Sequence, residues 1–123
     1  MVDTYIARSK IVQTVKFVKQ GIAIAHGEES KVYDSVLIAQ TADILLTMKD
    51  VNASFVIAHR ADGLVGISAR SLGEVNVQLI MESLGGGGHL TNAACQIAAN
   101  SIEEVKQYLE EAILMVLEGS SES

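Results

Sequence analysis

The chain has 123 residues, 49% of them hydrophobic, no proline, and a net charge of −6. That length and apolar content suit one globular domain with a real core and exclude a disordered chain. The negative balance argues against a general grip on nucleic acid, which rests on Lys and Arg neutralising phosphates, so an anionic ligand would need local donors or metal ions supplied from elsewhere.

Other absences narrow the class. The single Cys95 cannot form an internal disulfide and lies in a small, apolar run, where a thiol reads first as a buried hydrophobe and only second as a reactive group. No apolar run reaches the roughly 18–20 residues that span a bilayer. The start, Met1-Val2-Asp3-Thr4-Tyr5, lacks the basic-then-apolar pattern of a signal peptide. The expectation is a cytosolic domain without direct membrane contact.

Along the chain, Val2 to Lys19 reads as a helix, with Ala7, Ile11, Val15 and Val18 forming one apolar stripe. Gly21 to His26 is a short, fully apolar strand of the kind buried on both faces, closed by His26 as a capping residue. A polar turn, Gly27-Glu28-Glu29-Ser30, follows. Asp34 or Ser35 caps a second helix reaching about Lys49, apolar nearly all round except for Gln40, Asp43 and Thr47. Asp43 either faces solvent or positions a neighbouring loop.

Ala53–His59 and Leu64–Ser71 are strands joined by Arg60-Ala61-Asp62-Gly63, whose Asp-Gly is a hairpin signal. In the second strand Ser68 and Arg70 share a face, with Gly66 leaving room above it. Arg70 either reaches solvent at a strand end or aims its fork at a carboxylate or phosphate. Val75–Leu84 is a third helix, Leu90–Ala98 a strand, and Ser101 with Glu104 a capping box opening the last helix. Gly119–Ser123 reads as a disordered tail. The result is an α/β domain of order α-β-α-β-β-α-β-α: a mixed β-sheet with one antiparallel hairpin and helices packed on it.

The most unusual stretch is Gly85-Gly86-Gly87-Gly88-His89. Four glycines cost chain entropy in regular structure, so the backbone needs free dihedrals, close approach, or both. A phosphate-binding loop with a histidine on its rim is one reading; a linker or helix stop is the other. His26, His59 and His89 lack the short spacings of zinc ligands, no acidic cluster resembles a magnesium or manganese cage, and there is no nucleophile elbow, Walker loop or dinucleotide fingerprint. What remains is a set of donors without a catalyst: Ser68, Arg70, Ser71, the glycines and His89.

Gly85–Gly88 with His89, followed by Asn92-Ala93-Ala94 and preceded by Gly66-Ile67-Ser68-Ala69-Arg70-Ser71, resembles the signature of the DHH-associated domain, the C-terminal half of DHH phosphoesterases. Ile38–Asp43 and Ser71–Gln78 look like the branch of membrane-tethered cyclic di-AMP phosphodiesterases of Gram-positive bacteria.

The resemblance implies that residues 1–118 are the substrate-binding domain, with 1–20 a linker helix from a DHH domain that carries two manganese ions. No Asp-His-His motif occurs here, so this chain would hold no metal and be inert alone. Gly85, Gly86, Gly87, Gly88 and His89 would contact the phosphate. Arg70, Ser68 and Ser71 would line the same cleft, and Asn92 would orient the loop. The parent, anchored in the cell membrane, would hydrolyse cyclic di-AMP to linear pApA. The alternative is a nucleic-acid-binding module of a single-strand exonuclease, nano-RNase or pAp phosphatase. The charge of −6 and only five aromatics, Tyr5, Phe17, Tyr33, Phe55 and Tyr108, weigh against single-strand binding. Partners on these readings are a cyclic dinucleotide or short oligonucleotide, the DHH domain of the same polypeptide, and a second copy of the chain.

Overall fold

The structure, a computed structural model, describes residues Val2 to Glu122. Its elements are α1 (Val2–Val12), β1 (Lys16–Lys19), β2 (Ile22–His26), α2 (Ser35–Leu46), β3 (Ala53–His59), β4 (Val65–Ser71), α3 (Val77–Ser83), β5 (Gly87–His89), β6 (Asn92–Ile97) and α4 (Ile102–Glu122). The strands form one sheet in the order β1-β2-β3-β4-β6-β5. Only β2 and β3 run parallel, joined by the α2 crossover; the other pairings are antiparallel. None of the described helices is long and apolar enough to cross a membrane.

The mixed sheet and the eight expected elements are present in order, with two short strands added. The first replaces the end of the expected helix over Val2–Lys19. That helix stops at Val12, where Thr14 Oγ1 donates to the Ile11 carbonyl at 2.7 Å. Lys16–Lys19 instead pairs with β2 across a turn at Gly21, whose φ is 81°. Val15 and Val18 satisfied a helical stripe, but Thr14 to Val18 is equally rich in β-branched and aromatic residues, and a glycine free to adopt positive φ lets the chain fold back. The linker helix expected over 1–20 is thus a short helix and an edge strand of the domain. Gly119–Glu122, expected as a tail, continue α4; Ser123 lies outside the described residues.

The helix starts follow local chemistry. Asp34 caps α2 by accepting from Val36 N at 3.2 Å, and Asn76 caps α3 by accepting from Leu79 N at 3.1 Å. Ser101 accepts from Glu104 N at 3.1 Å, one half of a capping box, while the Glu104 carboxylate accepts from Asn100 N at 3.4 Å, one residue before the N–H the box would use. Glu29, 73 residues away from Ile102, adds a second cap: its carboxylate accepts from Ile102 N at 2.9 Å and Glu103 N at 3.2 Å, and pairs with His59 Nε2 at 2.7 Å. The Ile102 N–H is the largest cause holding the Glu29 carboxyl below its ordinary pKa. His26 closes β2 as expected, its amide donating to Thr14 Oγ1 at 2.9 Å.

Strand alternation sorts the side chains onto two unequal cores. One face carries Ile24, Phe55, Ile57, Ile67, Ala69 and Cys95, covered by α3 and α4 through Ile80, Met81, Leu109 and Ile113. The other carries Ala25, Val56 and Ala58, covered by Ile11 of α1 and by Ile38, Ala42 and Leu45 of α2. This second core reaches only across β2 and β3. Beyond it α2 reaches as far as β4, where Asp43 meets Arg70, and the same face of β6 and β5 has no helix packed on it among the described residues.

Candidate functional site

The glycine run joins α3 to that uncovered edge of the sheet, and its four residues serve different ends. Gly85 and Gly86 close the helix: Gly85 N donates to the Glu82 carbonyl at 3.1 Å and Gly86 N to the Met81 carbonyl at 2.8 Å, the paired bonds of a Schellman end. Gly85 has φ 89°. A side chain at Gly86 would overlap the Ala94 carbonyl and Cys95 of β6. Gly88, with φ 144°, lies so close to β6 that a Cβ would stand 2.5 Å from Ala93 Cα and from the Asn92 carbonyl oxygen. Gly87 differs: its φ is not positive, and a Cβ there would meet nothing within 4 Å. Three of the glycines are required by the fold; the fourth leaves empty space on the open face.

Register builds the site in rows across three strands. Arg70 on β4 lies opposite Asn92 on β6, which lies opposite His89 on β5. Two residues along, Ser68 pairs with Ala94, which pairs with Gly87; two further, Gly66 pairs with Gln96. Because side chains alternate, these residues share the open face. His89, Asn92 and Gln96 are exposed and Ser68 is half-buried. None of these four side chains has a hydrogen-bond partner among the described residues. Arg70 is held: its Nε donates to Asp43 Oδ1 of α2 at 2.7 Å and its Nη1 to the Ala69 carbonyl at 2.9 Å. Asp43 therefore keeps an exposed carboxylate and positions a strand arginine, where the sequence offered either solvent or a neighbouring loop. The β5–β6 turn at Leu90–Thr91 is fixed as well, the Leu90 carbonyl accepting from Val77 N at 3.2 Å and the Thr91 carbonyl from Ser71 N at 3.0 Å.

Ser71 is not brought to this face. It is buried, opposite Ala53, on the side covered by α3 and α4, and its Oγ accepts from Gly73 N at 2.9 Å. Strand alternation requires this, since Ser71 is an odd step from Ser68 and Arg70. Cys95 is buried on that side too, and burial pushes its thiol up to about 11, which leaves it inert. Gln96 was not among the expected site residues. Its even spacing from Asn92 carried the signal, but only the pairing of β6 with β4 shows what it faces.

Among the described residues no group of three His, Cys, Asp or Glu side chains could hold a metal ion. Ser68 has no base beside it, so the arrangement offers donors for an anion and no nucleophile–base pair.

Residues 11–115 match the family model of the DHHA1 domain. The chain belongs to the DHHA1 family. This DHHA1 domain is 58% identical over 118 residues to the cyclic-di-AMP phosphodiesterase GdpP of Geobacillus thermodenitrificans, covering 96% of this chain and 18% of that protein. It is 50% identical over 112 residues to the cyclic-di-AMP phosphodiesterase PdeA of Listeria monocytogenes, covering 91% and 17%. The domain thus spans less than a fifth of the length of these relatives. Among solved structures, an exopolyphosphatase-related protein from Bacteroides fragilis shares the fold, with a TM-score of 0.77 at 20% identity over 94% of this chain and 36% of that one.

Proposed function

We propose that this DHHA1 domain is the substrate-binding half of a DHH-family phosphodiesterase that hydrolyses cyclic di-AMP to linear pApA. The observation that carries the reading is the set of unpartnered donors His89, Asn92 and Ser68 beside an Arg70 pre-positioned by Asp43, on a sheet face left open beyond the edge of α2. Such donors stabilise a phosphodiester's charge. Gly87 leaves the strand bare where a phosphate would approach. The names borne by the relatives supply the substrate class.

The described residues do not fit the manganese ions that the sequence resemblance implies. In this reading those ions and the attacking water belong to the DHH domain of the same polypeptide, which closes over the open face. This chain binds the phosphate, orients it and keeps bulk water from one side of it. The membrane tether of the parent is part of the same proposal.

The test is His89→Ala in the full-length protein, assayed on cyclic di-AMP, pAp and a short RNA. Because His89 is exposed and makes no side-chain bond, the fold stays intact while cyclic di-AMP turnover falls at least ten-fold, the size of one lost charge-type hydrogen bond. Near-normal turnover of cyclic di-AMP would overturn the assignment. A loss confined to pAp or RNA would move the reading to that branch.

A further inference from the structure

The row that would hold the phosphate ends at Asn92, but the open face continues along β6 to Gln96. The two lie four residues apart on one strand, about 13 Å, a length that a single nucleotide covers. Between them the floor is made of Ser68, Ala94 and Gly66. Beside Gln96 the sheet and the start of α2 enclose a shallow notch of about 70 Å³, walled by Tyr33, Ser35, Ile38 and Arg60. That volume takes the edge of a purine and not the whole ring.

The two largest polar side chains around the notch, Arg60 and Tyr33, are engaged. Arg60 is forked onto Asp62, with Nε to Oδ2 at 3.1 Å and Nη2 to Oδ2 at 3.0 Å. The Tyr33 hydroxyl accepts from Glu28 N at 2.9 Å. Gln96 has an exposed carboxamide with no partner among the described residues. It alone among the side chains there presents a donor and an acceptor in one plane, the pattern that pairs with an adenine edge. Gly66 opposite it keeps the floor flat, and a Cβ there would come within 3.1 Å of Arg60 Cδ.

We infer that Gln96 reads the nucleobase of the bound nucleotide, its carboxamide pairing with the amino group and adjacent ring nitrogen of adenine. The inference rests on the phosphate-binding reading above and gives that face a polarity: phosphate at the Arg70–Asn92–His89 end, base at the Gly66–Gln96 end.

The experiment compares wild type, Gln96→Glu and Gln96→Ala in the full-length protein, measuring kcat and KM for cyclic di-AMP and cyclic di-GMP. A carboxylate accepts twice and donates nothing, so it repels the ring nitrogen of adenine and suits the adjacent N–H groups of guanine. Gln96→Glu therefore raises the guanine-to-adenine ratio of kcat/KM about ten-fold or more, the range of one base-reading pair. Gln96→Ala raises KM for cyclic di-AMP several-fold with kcat nearly unchanged. Both variants melt with the wild type because the side chain is exposed. An unchanged ratio in Gln96→Glu would overturn the inference, as would equal losses on both substrates, which would place Gln96 against the covering domain. His89→Ala run alongside separates the two readings. If it abolishes turnover while the ratio stays fixed, only the base assignment falls; if it leaves turnover intact, the phosphate reading falls first.

Discussion

Replacing each glycine of the loop by alanine separates what the fold needs from what a ligand needs. At Gly88 the new methyl group would stand 2.5 Å from two atoms of β6, on a backbone with φ 144°. The dihedral alone costs about 1–3 kcal/mol, and the overlap adds a further ~1–3 kcal/mol. Against a domain stability on the order of 5–15 kcal/mol, Gly88→Ala removes a large share of what holds the protein folded. Gly86→Ala behaves similarly, because its methyl overlaps the Ala94 carbonyl and Cys95.

Gly87→Ala meets nothing within 4 Å. It removes unfolded-state freedom and stabilises by about 0.4–1 kcal/mol, a rise in Tm of roughly 2–4 °C for a domain of this size. Its methyl group projects onto the open face in the row of Ala94 and Ser68, next to the phosphate row, so in the full-length protein turnover of cyclic di-AMP falls ten-fold or more. Thermal melts and a turnover assay of the three variants decide the matter. Gly87→Ala melting as low as Gly88→Ala would refute the packing argument. A stable Gly87→Ala with full turnover would refute the idea that the empty space serves a ligand.

Two further outcomes follow from residues away from the open face. Ser71→Ala loses the bond from Gly73 N and destabilises by about 1 kcal/mol in urea unfolding, with KM for cyclic di-AMP unchanged; a raised KM at full stability would return Ser71 to the site. Glu29, whose folded pKa lies below its ordinary 4.5 chiefly through the Ile102 N–H, adds stability that is present above pH 4.5 and lost as pH falls through the folded value. Wild type therefore loses more stability between pH 7 and pH 4 than Glu29→Gln does; equal losses in paired urea titrations would show that the cap contributes nothing.

Much of this architecture was legible from local chemistry. Asp62-Gly63, the cap at Asp34 and the Ser101 cap of α4 each act over a few residues, and each is present in the structure. What was hidden depends on pairing across the chain. Lys16–Lys19 had a helical stripe and strand-forming residues at once, and only β2 beside it decided. The glycines read as four equal letters, yet contact with Ala93, Ala94 and Cys95 makes two of them obligatory and leaves Gly87 free. Alternation already set Ser71 apart from Ser68 and Arg70; counting all three as donors close in sequence obscured it. Gln96 stayed unread because its neighbours on the face come from β4 and α2.

The bond from Val77 N to the Leu90 carbonyl closes residues 77–90 into a ring. Within it α3 passes through its glycine end directly into β5. His89 thus rides on a structure already fixed before any ligand arrives. A nucleotide binding there would immobilise little chain, so more of each contact would appear as affinity rather than being spent on ordering a loop.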